Sequence, residues 1–271
     1  MKKSDVDKNR RISVGTSAVA LCSILFKRTF HMPVFLRSIV FALVTFWTLG
    51  LCPITANATE KLRIAIIGAG SHGGTLGQLL VKAGHGVMFS TRNPAELDAL
   101  VKELGPLASA GTPQQAAAFG SVIVFAVPYN ALPQLGRDLA PQLRGKIVLD
   151  ATNPPPDEGN PLSREAYANG VGETSAKYLP GTRLVRAFSA VDATAVNASA
   201  RGNGDPLGVP IASNDAEALE VAAQLVRDVA AEPVITGDLS TARSFQRGGV
   251  GFRANTDAPA LRRLLNLPPD A

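Results

Sequence analysis

An apolar, β-branched run from Leu62 to Ile67 leads straight into Gly68-x-Gly70-x-x-Gly73, and Leu76, Leu79, Leu80 and Ala83 follow at the spacing of one buried helix face. Few folds accept a strand, a glycine turn and a helix in immediate succession. Gly68 permits the tight turn, Gly70 lets backbone approach a pyrophosphate, and Gly73 lets the helix pack closely on the strand. The helix N-terminus then faces the phosphate charge, with Ser71 and His72 in its first turn. The stretch predicts a dinucleotide-binding unit, against the blander alternative of a glycine-rich surface turn.

A second strand, Gly86 to Ser90, ends in Thr91-Arg92-Asn93-Pro94. A chain selecting NAD places a carboxylate here for the ribose 2′-hydroxyl; hydroxyls and an arginine stand here instead. Arg92 can pair with a 2′-phosphate through charge-assisted hydrogen bonds, whereas a carboxylate would repel it. NADP(H) is therefore the expected cofactor. The structural alternative is a plain turn in which Asn93 caps a helix beginning at Pro94.

Strands and helices keep alternating beyond this point. Helices are expected over Pro94–Leu104, from Thr112-Pro113 to Phe119, and over Ala131–Leu139; strands are expected over Leu107–Ala110, Val122–Ala126 and Lys146–Asp150. Val122–Ala126 is apolar at every position, as in a parallel strand covered on both faces. The fold class is α/β: a doubly wound parallel sheet with a small C-terminal α/β extension, and ligands beyond the carboxyl ends of the strands. The expected organisation is a leader over 1–58, an NADP-binding domain over 59–155 and a smaller acceptor-binding region over 156–271. Past the polar loop Asn153–Asn160, a short helix is expected over Thr174–Leu179. Strands follow over Arg183–Ala187, Pro206–Ala212 and Glu232–Ile235. The remaining helices are one capped by Asn214, then Leu239–Gln246 and Ala258–Leu265. The small-residue stretch Ser189–Asp205 reads as a loop.

The formal net charge of +5 misleads. Residues 1–58 hold eight Lys/Arg and two acids, which leaves the remainder 19 basic and 20 acidic residues. There is no basic surplus for nucleic acid. Both cysteines, Cys22 and Cys52, fall in the leader, so neither a disulfide nor a thiolate metal site is expected in the folded part. Three histidines, one of them in the leader, make no metal cluster. Pro33 to Ile54 is apolar but for Arg37 and ends in Ala56-Asn57-Ala58. A secretory signal cleaved after Ala58, and export to the periplasm or medium, are the expectation. The alternatives are a retained membrane anchor, twin-arginine export through Arg10-Arg11, and a cytoplasmic protein whose leader is not functional. Membrane contact is expected only through the leader, and a homodimer is compatible with the sequence.

Five motifs come in register: Ile64-Ala-Ile-Ile-Gly-Ala-Gly70, Phe89-Ser-Thr-Arg-Asn-Pro94, Phe125-Ala-Val-Pro-Tyr129, Leu149-Asp-Ala-Thr-Asn-Pro154 and Val185-Arg-Ala-Phe-Ser189. In that order the chain resembles the NADPH-dependent reductases of the deazaflavin coenzyme F-420, and also the related cytosolic domain of ferric-reducing membrane proteins. The resemblance implies hydride transfer between NADPH and a flavin-like ring stacked on the nicotinamide. It puts Gly68, Gly70, Ser71, His72 and Gly73 at the pyrophosphate, and Thr91 and Arg92, with Asn93 beside them, at the 2′-phosphate. It puts Ala126, Val127 and Pro128 under the nicotinamide ribose and Asn153 and Pro154 over the nicotinamide. Phe188 and Ser189 stand where the acceptor ring would dock. His72 and Ser189 depart from the family pattern, which usually has Asn at the second position.

Hydride transfer between two bound rings is chiefly a matter of alignment, and no Ser/His/Asp set is visible, so no catalytic residue is assigned. The expected second substrate is a small-molecule electron acceptor, coenzyme F-420 or a flavin. A non-catalytic NADP-binding module, acting as a redox sensor or as a partner of a membrane reductase, is the alternative. An imine or keto-acid reductase would add a long all-helical domain, for which the residues after Asp150 are too few and too rich in strands. His72 is expected to be a bystander of the glycine turn, His85 to cap a helix end, Arg186 to be a solvated strand-end charge, and Asp192 to cap a helix.

Overall fold

The computed structural model describes residues 61–156 and 159–269; the leader and cleavage site expected over residues 1–58 lie outside the described residues. The strands are β1 (Arg63–Ile67), β2 (Gly86–Ser90), β3 (Ala108–Gly111), β4 (Val122–Phe125), β5 (Ile147–Asp150), β6 (Arg183–Arg186), β7 (Gly208–Ser213) and β8 (Glu232–Gly237). The helices are α1 (Ser71–Lys82), α2 (Asp98–Leu104), α3 (Pro113–Phe119), α4 (Leu132–Asp138), α5 (Ala140–Leu143), α6 (Pro161–Asn169), α7 (Val171–Tyr178), α8 (Ala193–Ala200), α9 (Ala216–Asp228) and α10 (Ala258–Leu264).

β1 explains the apolar run that opens the glycine motif. Its alternate residues serve two cores. Ile64 and Ile66 pack with Leu76, Leu79 and Leu80 of α1, while Ala65 and Ile67 face Ala116 and Ala117 of α3. A strand covered on both faces has no solvent side, so the polar alternation of an open sheet is lost. All the strands join one eight-stranded sheet in the order β3-β2-β1-β4-β5-β6-β7-β8. β1 to β6 run parallel. β7 turns antiparallel, meeting β6 only through Val185↔Ser213 and Arg186↔Ala212, and β8 is parallel to β7. The sheet is therefore doubly wound, with the strand order reversing between β1 and β4. The crevice at that reversal is where such sheets take ligands.

Several local expectations need correction. The stretch Ser189–Asp205 is not all loop: α8 occupies Ala193–Ala200 and buries Val196 and Ser199. Alanine-rich sequence lacks the contrast that makes a helical face visible, yet alanine is the best helix former. The helix α6, entered through Pro161 and capped by Asn160 (Asn160 Oδ1 accepts from Leu162 N at 3.0 Å), also escapes the periodicity reading. α9 is capped by Asp215 rather than Asn214: Ala218 N donates to Asp215 Oδ1 at 2.9 Å. Asn214 instead accepts from Leu239 N at 2.9 Å. Leu239–Ser244 is a 3-10 helix.

His85 does not cap carbonyls. It is fully buried, accepts at Nδ1 from Leu62 N at 3.0 Å, and meets the Asp228 carboxylate through Nε2 at 2.9 Å. It thereby ties the start of β1 to the end of α9. His85→Ala would leave Leu62 N without its acceptor, and is expected to lower stability by about 1–3 kcal/mol. Urea denaturation checks this; an unchanged midpoint would deny the bridge its structural role.

Candidate functional site

The glycine turn is built as its residue types require. Gly68 has φ +101°, and a Cβ there would lie 2.5 Å from the Ala126 carbonyl oxygen. A Cβ on Gly73 would lie 2.1 Å from the Gly68 oxygen. Both positions are closed by protein. Gly70 is different: a Cβ there would meet nothing within 4 Å. Its lack of a side chain keeps space open rather than permitting a tight contact. Gly70 is the N-cap of α1, no side chain caps that helix, and its first turn holds no acid. Exposed N–H groups at an uncapped, glycine-lined helix start suit an anionic group. Gly68 N and Ala69 N both donate to Ser90 O, at 3.3 and 3.2 Å. This ties the turn to the end of β2, so Thr91, Arg92 and Asn93 follow directly beside it. Arg92 is exposed, Thr91 half-buried, and Asn93 donates to Glu96 at 3.1 Å rather than capping a helix with its side chain.

Beyond the switch point lies a cleft of about 260 Å³. It gathers His72 from α1, Ala126 and Val127 from the end of β4, Asn153 from the end of β5, and Phe188 and Ser189 from the end of β6. Sequence reasoning thus chose six residues that share one wall. Pro128 and Pro154 stand next in the chain but do not line the cleft; the Pro154 carbonyl accepts from Tyr167 Oη at 3.0 Å. The Phe188 side chain is buried in the core, and its backbone carries the more telling feature, φ +60°. That unusual conformation for a phenylalanine is held from both sides: His72 Nε2 donates to Phe188 O at 3.0 Å, and Asn153 Nδ2 donates to Ser189 O at 2.6 Å.

Arg186 overturns its expectation. It is fully buried, with Nη1 2.5 Å from Asp150 Oδ2 and Nη2 2.9 Å from Thr152 O. Asp150 Oδ1 in turn accepts from Thr152 N and Oγ1 at 2.9 and 2.6 Å. The pair grips the Thr152 peptide from two directions, immediately before Asn153. Asp192 stands at the head of α8, but its side chain makes no cap bond. Its carboxylate pairs with Arg253 and accepts from Asn255 Nδ2 at 2.6 Å. The Arg253 guanidinium holds that carboxyl below the usual range. The cleft also contains Arg247, Phe252 and Arg253, which sequence reasoning missed. Arg247 lies 4.9 Å over the Phe252 ring. The available sign was Gly248-Gly249-x-Gly251, a turn signature between two arginines and an aromatic.

Burial holds the His72 imidazole below its usual pKa of 6.5, against the opposing pulls of the Phe188 carbonyl and Asp192. An unfolded chain binds a proton near pH 6.5 that the folded site rejects. The associated stability is fully present above that pH and is lost as pH falls toward the folded value. His72→Asn is expected to flatten the fall of the thermal midpoint as pH drops below the ordinary histidine value of 6.5; an unchanged slope would place the proton uptake elsewhere.

Residues 63–154 match the family described as NADP oxidoreductase coenzyme F420-dependent. The chain is 28% identical over 201 residues to the F420-dependent NADP reductase of Methanothermobacter thermautotrophicus, covering 69% of this chain and 85% of that protein. It is also 28% identical over 188 residues to the metalloreductase STEAP3 of Rattus norvegicus, covering 69% of this chain but only 36% of the rat protein. A crystal structure from an Arthrobacter species, assigned as an F420-dependent NADP reductase, superposes with a TM-score of 0.57 at 28% identity, over 68% of this chain and 88% of that one. Over its dinucleotide-binding core, about a third of its length, the chain is similar to the NADP oxidoreductases described as coenzyme F420-dependent.

Proposed function

We propose that the protein is an NADPH-dependent oxidoreductase that moves hydride between NADP(H) and a deazaflavin or flavin-like ring. The observation that carries this reading is the cleft at the ends of β4, β5 and β6, lined in part by His72 from the first turn of the helix that Gly70 opens without a side-chain cap. The residues present fit the cofactor. The N-terminus of α1 would receive the pyrophosphate, Thr91 and Arg92 the 2′-phosphate, and Ala126 and Val127 the nicotinamide ribose. When bound, NADP(H) supplies the hydride. The protein's own part is to align and shelter: His72 and Asn153 fix the strained end of β6, and the Asp150–Arg186 pair fixes the end of β5. No group in the cleft is needed as a nucleophile, since alignment supplies most of the advantage in hydride transfer.

A second reading has a specific observation behind it. The chain spans about a third of the length of the rat metalloreductase it matches, so the shared part is one portion of a larger protein there. A binding module that serves a separate reductase, or a ferric acceptor, fits that relation. The experiment that separates the readings offers NADPH anaerobically with coenzyme F-420, FMN, FAD and a ferric chelate in turn, and follows nicotinamide absorbance. Oxidation by a ring acceptor supports the proposal. Oxidation by the ferric chelate alone favours a metalloreductase. Tight NADPH binding with no oxidation by any acceptor leaves the binding module. Export after cleavage at Ala58 belongs to the same proposal, and the N-terminal residue of the mature protein tests it.

A further inference from the structure

Three buried side-chain atoms of cleft residues have no hydrogen-bond partner among the described residues: Nε of Arg247 and two oxygens, Oδ1 of Asn153 and Oγ of Ser189. The two oxygens are paired. They belong to residues on adjacent strand ends, and the two residues are joined. Asn153 Nδ2 donates to the Ser189 carbonyl at 2.6 Å. That bond sets which way the amide faces: its nitrogen is committed to protein and its oxygen is left over. Ser189 is only 4% exposed. A buried hydroxyl without a partner costs stability, and the positions around it, Ala187 and Ala190, are alanine. A fold indifferent to this hydroxyl would be better served by a third alanine.

The two atoms are also held still. Arg186 and Asp150 clasp Thr152 just before Asn153, and His72 clasps the Phe188 carbonyl just before Ser189. One atom can only accept; the other can donate. We infer that Asn153 and Ser189 form a single amide-reading pair, in which Asn153 Oδ1 accepts from a ligand N–H while the Ser189 hydroxyl donates to the carbonyl beside it. The ligand chemistry is an amide or imide edge, where N–H and C=O stand next to each other. Two sources offer it within the proposed reaction: the carboxamide of the nicotinamide and the pyrimidinedione edge of a flavin-like ring. The inference rests on the reading of the cleft as a cofactor and acceptor site. It alters the division expected from sequence, which gave Asn153 to the cofactor and Ser189 to the acceptor. Here both act on one group.

Full-length wild type, Ser189→Ala and Asn153→Ala are each titrated with three probes: NADPH, 2′-phospho-ADP-ribose (which lacks the nicotinamide) and FMN. The thermal midpoint of each free protein is recorded alongside. Ser189→Ala removes a group with no partner, so its midpoint is expected to stay level or rise, which separates binding from a structural role. Both variants are expected to weaken the same amide-bearing ligand about tenfold, the worth of one well-placed hydrogen bond, and to leave 2′-phospho-ADP-ribose unchanged. A loss confined to NADPH assigns the carboxamide; a loss confined to FMN assigns the ring edge. Unchanged affinity for both, or a loss that extends to 2′-phospho-ADP-ribose, overturns the pair. Should Asn153→Ala fail to fold, Ser189→Ala alone decides. If the wild type binds neither NADPH nor 2′-phospho-ADP-ribose, the cofactor reading falls instead, and the FMN titration judges the pair by itself.

Discussion

Arg186→Met is expected to lower stability by about 3–5 kcal/mol, the cost of leaving one half of a buried ion pair behind. Arg186 and Asp150 are both fully buried. With the guanidinium gone, Asp150 Oδ2 loses its partner at 2.5 Å and the Thr152 carbonyl loses its donor at 2.9 Å. Only Thr152 N and Oγ1 would remain to face the carboxylate. The penalty comes from the charge left behind more than from the attraction lost. The double variant Asp150→Asn, Arg186→Met removes both charges and is expected to lie much closer to wild type than Arg186→Met does. Urea denaturation of the three proteins measures this. Strictly additive losses would show that the two residues do not act as a pair.

Arg92→Ala is expected to weaken NADPH about tenfold or more, as loss of charged hydrogen bonds to a phosphate should, and to leave NADH unchanged. The effect should shrink as salt is raised, because Arg92 is exposed and its field is screened. Dissociation constants for both nucleotides, taken at two ionic strengths, check it. An equal loss for NADPH and NADH would mean that Arg92 supports the loop after β2 rather than reading the 2′-phosphate.

What was legible in the sequence and what was not divide along physical lines. β1, the glycine turn and α1 were readable because both faces of β1 are buried and the glycines stand at positions where a side chain would collide or intrude. The same holds for β4, apolar at every position. The cleft wall from Ala126 to Ser189 was readable because each residue ends a strand, and the parallel sheet brings strand ends together. Arg186 was misjudged because a charged residue at a strand end looks solvated until its partner is known, and Asp150 lies 36 residues away. Asp192 was misjudged for a similar reason: its partner, Arg253, is 61 residues further on. α8 was missed because alanine and serine show no contrast between faces. The arginines and Phe252 that help line the cleft come from a chain segment whose local pattern predicts only a turn. Pairings distant along the chain leave no periodic trace, so they appear only when the fold closes.

The most direct test of the central claim is a single anaerobic turnover with NADPH deuterated at its transferable position and the deazaflavin as acceptor. The expected result is one acceptor reduced for each NADPH consumed, deuterium recovered on the reduced ring, and a faster reaction with NADPH than with NADH. NADPH that binds tightly yet is consumed by neither the deazaflavin nor a flavin would contradict the oxidoreductase reading and leave a binding module in its place.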